Sequence, residues 1–239
     1  MKIAINQPNY IPWIGYFDLI DQVDKFIFLD DAQFSKGSFI SRNKISNLSG
    51  KSRWLSLSLN SSFLGDVINK KMIVEGCLDS HLEIFSNYYR KAPYFKVVYE
   101  FLEYEFKKQS SFNLGKLNTD IIISICKLIG IKCDFFNSSD SNKCSSFKSS
   151  EKVFCLIDQY QCKSYYNFSK GIEVGLHTKS SFSKRGKLLF RQDYKHPTYL
   201  RPYFQPYMSI VDLLFYELTD SLDIIRSGSN WTLMNPETI

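Results

Sequence analysis

The stretch that most constrains the fold is residues 2–43, in which two short apolar runs flank an amphipathic segment. Residues 3–5 and 26–29 have the composition of buried strands, and the segment between them places apolar side chains at near-helical spacing. About twenty residues separate the runs, which is enough for a helical crossover between parallel strands. The pattern therefore predicts a strand, a helix and a second strand that open a parallel sheet.

Apolar periodicity further along the chain indicates more helices. Residues 113–129 carry leucine and isoleucine on one helical face, and Gly130 is a typical stop. Two helical patterns, 81–89 and 94–106, are separated by Pro93, which disfavours a continuous helix and predicts a helical hairpin. We predict an α/β fold in which a mainly parallel, Rossmann-like sheet is flanked by helices and the helical hairpin is an insertion.

A length of 239 residues suits one large core, so we predict a single domain over residues 1–239. The polar, serine-rich residues 137–150 are expected to form a surface loop and are a possible subdomain boundary. Further strands are expected at 54–59, 72–74, 135–136, 164–168 and 187–190, further helices at 151–160 and 209–216, and a loop through Gly171 and Gly175.

Composition excludes several classes of protein. The 44% of apolar and 16% of aromatic residues are those of a folded chain, not a disordered one. No stretch approaches the roughly eighteen apolar residues of a membrane span, and the N-terminus lacks an apolar signal region. We therefore predict a cytoplasmic protein without a membrane span. The net charge of +6 could attract phosphorylated small molecules, an anionic membrane surface or nucleic acid. It is not concentrated in a dense basic cluster, so nucleic acid is the least favoured of these partners.

The six cysteines are scattered and lack C-x-x-C spacing, which indicates neither a zinc site nor a disulfide frame. Cys126 and Cys155 fall within helical patterns, and we expect both to be reduced packing residues.

The loop after the first strand is the first candidate for a binding site. Gln7, Asn9 and Tyr10 offer neutral hydrogen bonds suited to sugar hydroxyls or amides, and two prolines stiffen the loop. Trp13 either stacks on a base or a sugar face or packs in the core. Because open parallel sheets bind ligands beyond the carboxyl ends of their strands, we expect this loop to contribute to a site.

Paired acids end the second apolar run. Asp30 or Asp31 is a candidate general base or magnesium ligand, and the alternative is a turn or helix cap. Lys36 and Arg42 follow; a guanidinium binds a phosphate or carboxylate in bidentate fashion, and the alternative is a solvated basic loop. We expect Gln7, Asp30 and Arg42 to share one recess.

Histidines supply a further candidate. His81 is expected to head a helix with Ser80 as its N-cap, and imidazole suits acid and base catalysis near neutral pH. A structural role is the alternative, and His177 and His196 are weaker candidates. The three histidines lack metal-ligand spacing, so no metal site is predicted.

Three stretches read together resemble the WbqC-like family, whose members belong to bacterial gene clusters for O-antigen and other surface polysaccharides. They are QPNYIPWIGYF from Gln7, DDAQFSK from Asp30 with the later RN, and MSIVDLLF from Met208. His81 and the run KAPYF fit the helical hairpin of the family. Phe39, at a position where tryptophan is usual, is one of a few local departures.

The resemblance implies transfer of an amino-acyl group, for example glycyl, or an acyl group to a nucleotide-linked amino sugar. Asp30 or His81 would deprotonate the amine, while Arg42 and Lys36 bind phosphate or a developing oxyanion. The other predicted substrate-binding residues are Gln7, Asn9, Tyr10, Trp13, Asp31, Gln33 and Asn43. Two alternatives stay open: a metal-dependent glycosyltransferase that uses a nucleotide-sugar, and a non-catalytic scaffold of the pathway. Neither a cofactor nor an oligomeric state is predicted.

The opening segment also resembles the nucleotide-binding opening of the HUP superfamily. Those enzymes hold ATP phosphates with two histidines at the start of the helix, which Trp13 and Tyr16 replace here around Gly15. This second resemblance implies a topology and not the phosphate chemistry.

Overall fold

The computed structural model describes residues 1–60, 66–169 and 178–234. The predicted loop through Gly171 and Gly175, and His177, lie outside these ranges. The elements are β1 (Lys2–Asn6), α1 (Ile14–Asp21), β2 (Lys25–Phe28), β3 (Arg42–Ser46), β4 (Ser52–Ser56), α2 (Cys77–Tyr89), α3 (Phe95–Lys107), α4 (Leu114–Ile129), β5 (Asp134–Asn137), α5 (Ser149–Gln159), β6 (Ser164–Phe168), α6 (Lys179–Ser183), β7 (Leu188–Gln192), α7 (Ile210–Glu217), α8 (Ser221–Ser227) and β8 (Trp231–Leu233).

The main sheet has six strands in the order β5-β2-β1-β6-β7-β8. All neighbours pair in parallel except β7 and β8, which are antiparallel. The chain builds outward from β1 through β2 to β5 and then returns to the other side of β1 for β6. The predicted α/β class and the mainly parallel, Rossmann-like sheet are confirmed. The strand order reverses between β1 and β6, and this reversal marks the topological switch point of the sheet.

Helices cover both faces of the sheet. Alternate residues of a strand point to opposite faces, so Ile3 and Ile5 join one buried cluster while Ala4 joins the other. The larger cluster contains side chains of α1, α2, α3, α4 and α7, and the smaller one contains side chains of α5 and α6. In the described parts of the chain, no helix is long and apolar enough to cross a bilayer.

The helix predicted over 113–129 is confirmed as α4, with both predicted ends. The Asn113 side chain caps it by accepting a hydrogen bond from the backbone N–H of Lys116 at 2.9 Å. Gly130 ends it in the left-handed conformation, with a φ of 87° that suits glycine.

The predicted helical hairpin is also present, as α2 and α3, but its first helix begins at Cys77. Ser80 is therefore inside the helix and is not its N-cap; the Ser80 hydroxyl donates to the carbonyl of Gly76 at 3.2 Å. The strand expected at 72–74 is wrong as well, since Met72 and Ile73 form only isolated bridges.

The C-terminal helix predicted over 209–216 is α7, and the Ser209 side chain caps it by accepting from the N–H of Val211. It is not the last element, because α8 and the edge strand β8 follow. A strand of three residues is too short for an alternating apolar pattern to reveal it.

Residues 137–150 contain two short 3₁₀ turns, Ser138–Asp140 and Asn142–Cys144. The second turn brings Cys144 beside α5, with its Cα 5.7 Å from that of Cys155, and the two sulfurs are bonded. The expectation that Cys155 is reduced is therefore wrong, whereas Cys126 is a buried free cysteine as predicted. A subdomain boundary in this segment stays a prediction.

Candidate functional site

A cavity of about 770 Å³, here called the switch-point cavity, opens at the carboxyl ends of β1, β6 and β7. Open α/β sheets bind their ligands at this position, where the strand order reverses. The volume lies within the roughly 300–1,000 Å³ that is typical of small-molecule sites. Four of the residues predicted from sequence line it, namely Gln7, Asn9, Trp13 and Asn43.

The loop that carries Gln7, Asn9 and Trp13 is held in a strained conformation. Ile11 has a φ of 34°, which is unfavourable for a β-branched residue. The carbonyl of Ile11 accepts hydrogen bonds from Asn43 Nδ2 at 2.8 Å and from Ser209 Oγ at 2.7 Å. Asn43 and Ser209 therefore hold the loop in the shape that forms one cavity wall.

Trp13 forms the aromatic wall of the cavity. Its indole folds over Gly15 so closely that a Cβ built at that position would overlap the ring, which explains the glycine there. The ring meets Tyr194 edge-on with the centroids 5.4 Å apart, and it lies near-parallel to His196 at 6.3 Å. Trp13 is held by these neighbours beside the cavity and does not fill it.

Opposite charges line the cavity at the end of β7. Arg191 Nε and Nη2 donate to the two carboxylate oxygens of Asp193 at 2.8 and 3.2 Å. The Thr232 hydroxyl donates to the same carboxylate at 2.6 Å, and the hydrogen bonds from Thr232 and Arg191 lower the pKa of Asp193. An ionised carboxylate is therefore available at neutral pH.

Several lining residues were missed from sequence, and most of them lie at the carboxyl end of β6 or β7 or directly after it. Ligands of open parallel sheets bind beyond the carboxyl ends of the strands, which is why the loop after β1 was predicted. The same rule applies to β6 and β7. What the sequence lacks is the strand order that places β6 and β7 beside β1. The missed residues at these two strands include Phe168, Arg191, Gln192, Asp193 and Tyr194.

Asp30 lines a second cavity of about 450 Å³, at the ends of β2 and β5. Asp30 Oδ1 accepts from Ser138 Oγ and the Ser139 N–H, and Oδ2 accepts from Ser139 Oγ and Asn69 Nδ2. The expectation that Gln7 and Asp30 share one recess is wrong, since they line different cavities. These four hydrogen bonds give Asp30 a role in tying β2 to the turn after β5.

The other predicted residues lie outside the switch-point cavity. Asp31 forms an ion pair with Lys152, and Gln33 and Lys36 are exposed. Arg42 is half-buried and stacks over Trp54. Within the ranges that the structure describes, no three His, Cys, Asp or Glu side chains are arranged to hold a metal ion.

Tyr10 and His81 are in the core. The Tyr10 hydroxyl lies 2.7 Å from His81 Nδ1, and His81 Nε2 lies 3.1 Å from the Ser56 carbonyl. Because a carbonyl only accepts, Nε2 carries the proton and Nδ1 accepts from Tyr10. Burial lowers the pKa of His81 to about 4, so the ring is neutral at pH 7. A catalytic role for His81 stays a prediction, while these contacts give it a structural one.

Two buried groups should make the stability depend on pH in opposite directions. Burial raises the pKa of Asp18 to about 6 in the folded protein. Because the carboxyl of the unfolded chain ionises near pH 4, the free energy of unfolding falls as the pH rises from about 4 to 6. The pKa of His81 is lowered, so the unfolded chain takes up a proton at this residue before the folded protein does. The free energy of unfolding therefore falls as the pH falls from about 6.5 to 4. Each shift corresponds to about 3 kcal/mol, so the two effects largely cancel in the wild type.

Single variants should separate these effects. In Asp18→Asn the unfolding free energy, relative to wild type, should rise by about 3 kcal/mol between pH 4 and 6, and in His81→Gln it should fall by a similar amount. Urea unfolding at several pH values measures both slopes. Equal slopes in the two variants would contradict the assignment, and the double variant serves as the control that should follow wild type.

Sequence comparison identifies the family of the chain. The sequence model of the WbqC-like protein family matches residues 7–224. A protein of Mycobacterium tuberculosis (strain ATCC 25618 / H37Rv), described as uncharacterized protein Rv1507c, is 28% identical over 228 residues, which cover 94% of this chain and 97% of that relative. No solved structure matches the chain. Because the family match spans most of the sequence, from the loop after β1 to α8, the chain belongs to the WbqC-like protein family.

Proposed function

We propose that the protein is a transferase of surface-polysaccharide biosynthesis, which moves an amino-acyl or acyl group onto the amine of a nucleotide-linked amino sugar. The sugar binds in the switch-point cavity. A cytoplasmic location, where nucleotide-linked sugars are available, is part of this proposal.

The observation that carries the proposal is the combination of side chains in this one cavity. An aromatic wall at Trp13 offers a flat apolar surface for the C–H face of a sugar ring. Gln7 and Asn9 offer amide donors and acceptors for hydroxyl groups. Asp193 places a negative charge where it can attract the ammonium group of an amino sugar. An apolar surface with a few convergent polar groups is typical of a specific small-molecule site.

The carboxylate of Asp193 also suits the proposed chemistry. The sugar amine attacks in its neutral form, in equilibrium with the bound ammonium ion, on the carbonyl carbon of an activated acyl donor. A C–N bond forms, and the bond from the carbonyl carbon to the leaving group breaks, with the electron pair going to the leaving group. Asp193 accepts the proton that the amine loses. We assign this proton transfer to Asp193 because its carboxylate lines the switch-point cavity, whereas Asp30 lines the other cavity. His81 is in the core, with both ring nitrogens hydrogen-bonded. The catalytic roles of Asp30 and His81 stay predictions.

The proposal is tested by incubating the purified protein with nucleotide-linked 2-amino sugars and activated glycine or acetyl donors. A new amide product, detected by mass spectrometry, is the expected result. If the amino sugar binds but no amide forms with any of the glycine or acetyl donors, the proposed transfer reaction is wrong. Absence of sugar binding would overturn the assignment of the cavity.

Trp13→Ala should weaken binding of the nucleotide-linked amino sugar by about tenfold or more, because stacking on an aromatic ring contributes roughly 1–3 kcal/mol. Isothermal titration calorimetry measures the change. Tyr104→Ala is the matched control, since Tyr104 is an aromatic residue on α3 that is 65% exposed and does not line the cavity. Equal affinity in the two variants would contradict the role of Trp13.

A further inference from the structure

The hairpin of β3 and β4, with the segment that leads into it, carries an unbalanced positive charge. Residues 32–60 contain five lysines and arginines and no aspartate or glutamate. The whole chain has a net charge of +6, so this stretch accounts for most of the excess. Cations without acids nearby attract an anion rather than neutralise one another.

Two of these cations lie on one face of the hairpin beside exposed aromatic rings. Arg42 and Lys44 are alternate residues of β3 and so point to the same face. The Arg42 guanidinium stacks 4.1 Å from the centre of the Trp54 ring, and Lys44 Nζ lies 5.1 Å from it. The ring of Phe39 lies 5.7 Å from that of Trp54. We call this group, Phe39, Arg42, Lys44 and Trp54, the hairpin subsite.

The polar groups of the hairpin subsite have no acidic partner. No carboxylate in the described residues is within ion-pair distance of Arg42 or Lys44. Arg42 Nε is buried and has no hydrogen-bond partner there. A guanidinium that is held by stacking, with its donors unused, is suited to bidentate binding of a phosphate.

The aromatic rings of the subsite are unusually open for their size. Phe39 is 50% exposed and Trp54 is 38% exposed. Flat rings beside phosphate-binding cations are the arrangement that binds a nucleotide, because the base stacks while the phosphates pair with the cations. A lipid phosphate or a sugar phosphate carries no base, so it would have no group to stack on these rings.

The hairpin subsite is continuous with the switch-point cavity. Phe39 belongs to both, since its ring contacts Trp54 and it also lines the cavity. We propose that the hairpin subsite binds the base and the diphosphate of a nucleoside diphosphate whose sugar occupies the switch-point cavity. The inference rests on the proposed function and assigns new roles to Phe39, Lys44 and Trp54.

Calorimetry with separate parts of the substrate tests this inference. The probes are UDP, GDP, CDP and dTDP, inorganic pyrophosphate, and the matching nucleotide-linked amino sugars. At least one nucleoside diphosphate should bind more tightly than pyrophosphate. Arg42→Gln should weaken binding of that nucleoside diphosphate by about tenfold or more, since hydrogen bonds to charged groups contribute roughly 1.5–3 kcal/mol. Trp54→Ala should also weaken it, and Trp13→Ala should leave it unchanged.

Matched controls keep folding effects apart from binding effects. Lys107→Gln removes an exposed cation on α3, and Trp54→Phe keeps a ring at the hairpin; both should bind the nucleotide within about threefold of wild type. Thermal unfolding of each variant should match wild type.

The outcomes separate this inference from the proposed function. Amino-sugar binding that needs Trp13, without binding of any nucleoside diphosphate, would overturn the hairpin subsite and leave the cavity assignment intact. Pyrophosphate that binds as tightly as the nucleotides would overturn the role of the aromatic rings. If neither Arg42→Gln nor Trp54→Ala affects nucleotide binding, the nucleotide does not bind at the hairpin subsite. Failure of the amino sugars to bind would overturn the proposed function itself.

Discussion

Asp212→Asn is expected to lower the free energy of unfolding by about 3–5 kcal/mol, because it leaves Arg201 as an uncompensated buried charge. The side chains of Asp212 and Arg201 are both fully buried and form an ion pair. The free energy of unfolding of a typical domain is only about 5–15 kcal/mol, so this single substitution should remove a large part of the stability.

The contacts around Asp212 explain why the effect should be large. Its Oδ1 accepts from the Tyr89 hydroxyl at 2.9 Å as well as from Arg201, and its Oδ2 accepts from the Tyr199 hydroxyl at 2.6 Å. Arg201 in turn donates to Ser46 Oγ at 2.6 Å. The network therefore joins α7, the end of α2, the segment before α7 and strand β3.

Two further variants make the assignment specific. Tyr89→Phe removes one neutral donor and should cost only about 1–3 kcal/mol. The double variant Asp212→Leu with Arg201→Met removes both charges and should recover stability relative to Asp212→Asn, because apolar residues often replace a buried ion pair at little cost. Denaturant unfolding monitored by circular dichroism measures all three. A loss below about 1 kcal/mol in Asp212→Asn would contradict the role of the ion pair.

This network gives a physical meaning to the C-terminal motif of the family. Ser209 caps α7 and donates to the carbonyl of Ile11, while Asp212 anchors the hairpin through Arg201 and Ser46. The motif therefore supports, from 200 residues away, the loop after β1 and the strand that carries Arg42. We expect its residues to act on the site through position and not through contact with the substrate.

Most of the fold could be predicted because it follows from local periodicity. The opening unit and α4 have long apolar patterns with clear ends, and both are present. The errors concern short elements: β8, which was missed, has three residues, and the strand expected at 72–74 consists only of isolated bridges at Met72 and Ile73. Their stability comes from neighbours that are distant in sequence, which no local pattern records.

The candidate site was only half predictable for a related reason. The loop after β1 was recognised because it follows the first strand, but its partner was taken to be the end of β2, the next strand in the chain. The switch-point cavity instead lies on the other side of β1, beside β6 and β7. Strand order is a global property that no local pattern records, and it places Asp193 rather than Asp30 in the switch-point cavity.

His81 could have been recognised as a buried residue. It shares one face of α2 with Leu78, Leu82, Phe85 and Tyr89, at the helical spacing of an apolar stripe, and it is 4% exposed. A histidine on such a face packs into the core unless a cavity reaches it.

Asp193→Asn is expected to reduce the turnover number of the proposed transfer by about 10²–10⁴-fold, which is the usual contribution of a positioned general base. The amide keeps the shape of the side chain and a carbonyl oxygen for Arg191, but it cannot accept the proton of the amine. Affinity for the amino sugar should fall less than turnover does. The measurement is the rate of amide formation at saturating substrate, followed by mass spectrometry.

A second variant distinguishes proton transfer by Asp193 from a merely structural role. Thr232 donates to the Asp193 carboxylate, and this hydrogen bond is the largest cause of its lowered pKa. Thr232→Val removes the hydrogen bond and should raise the pKa of Asp193 toward its ordinary value. Since the base works only when ionised, the acidic limb of the pH–rate profile should move to higher pH while the rate on the plateau changes little. An unshifted limb, or full turnover in Asp193→Asn, would remove Asp193 from the mechanism.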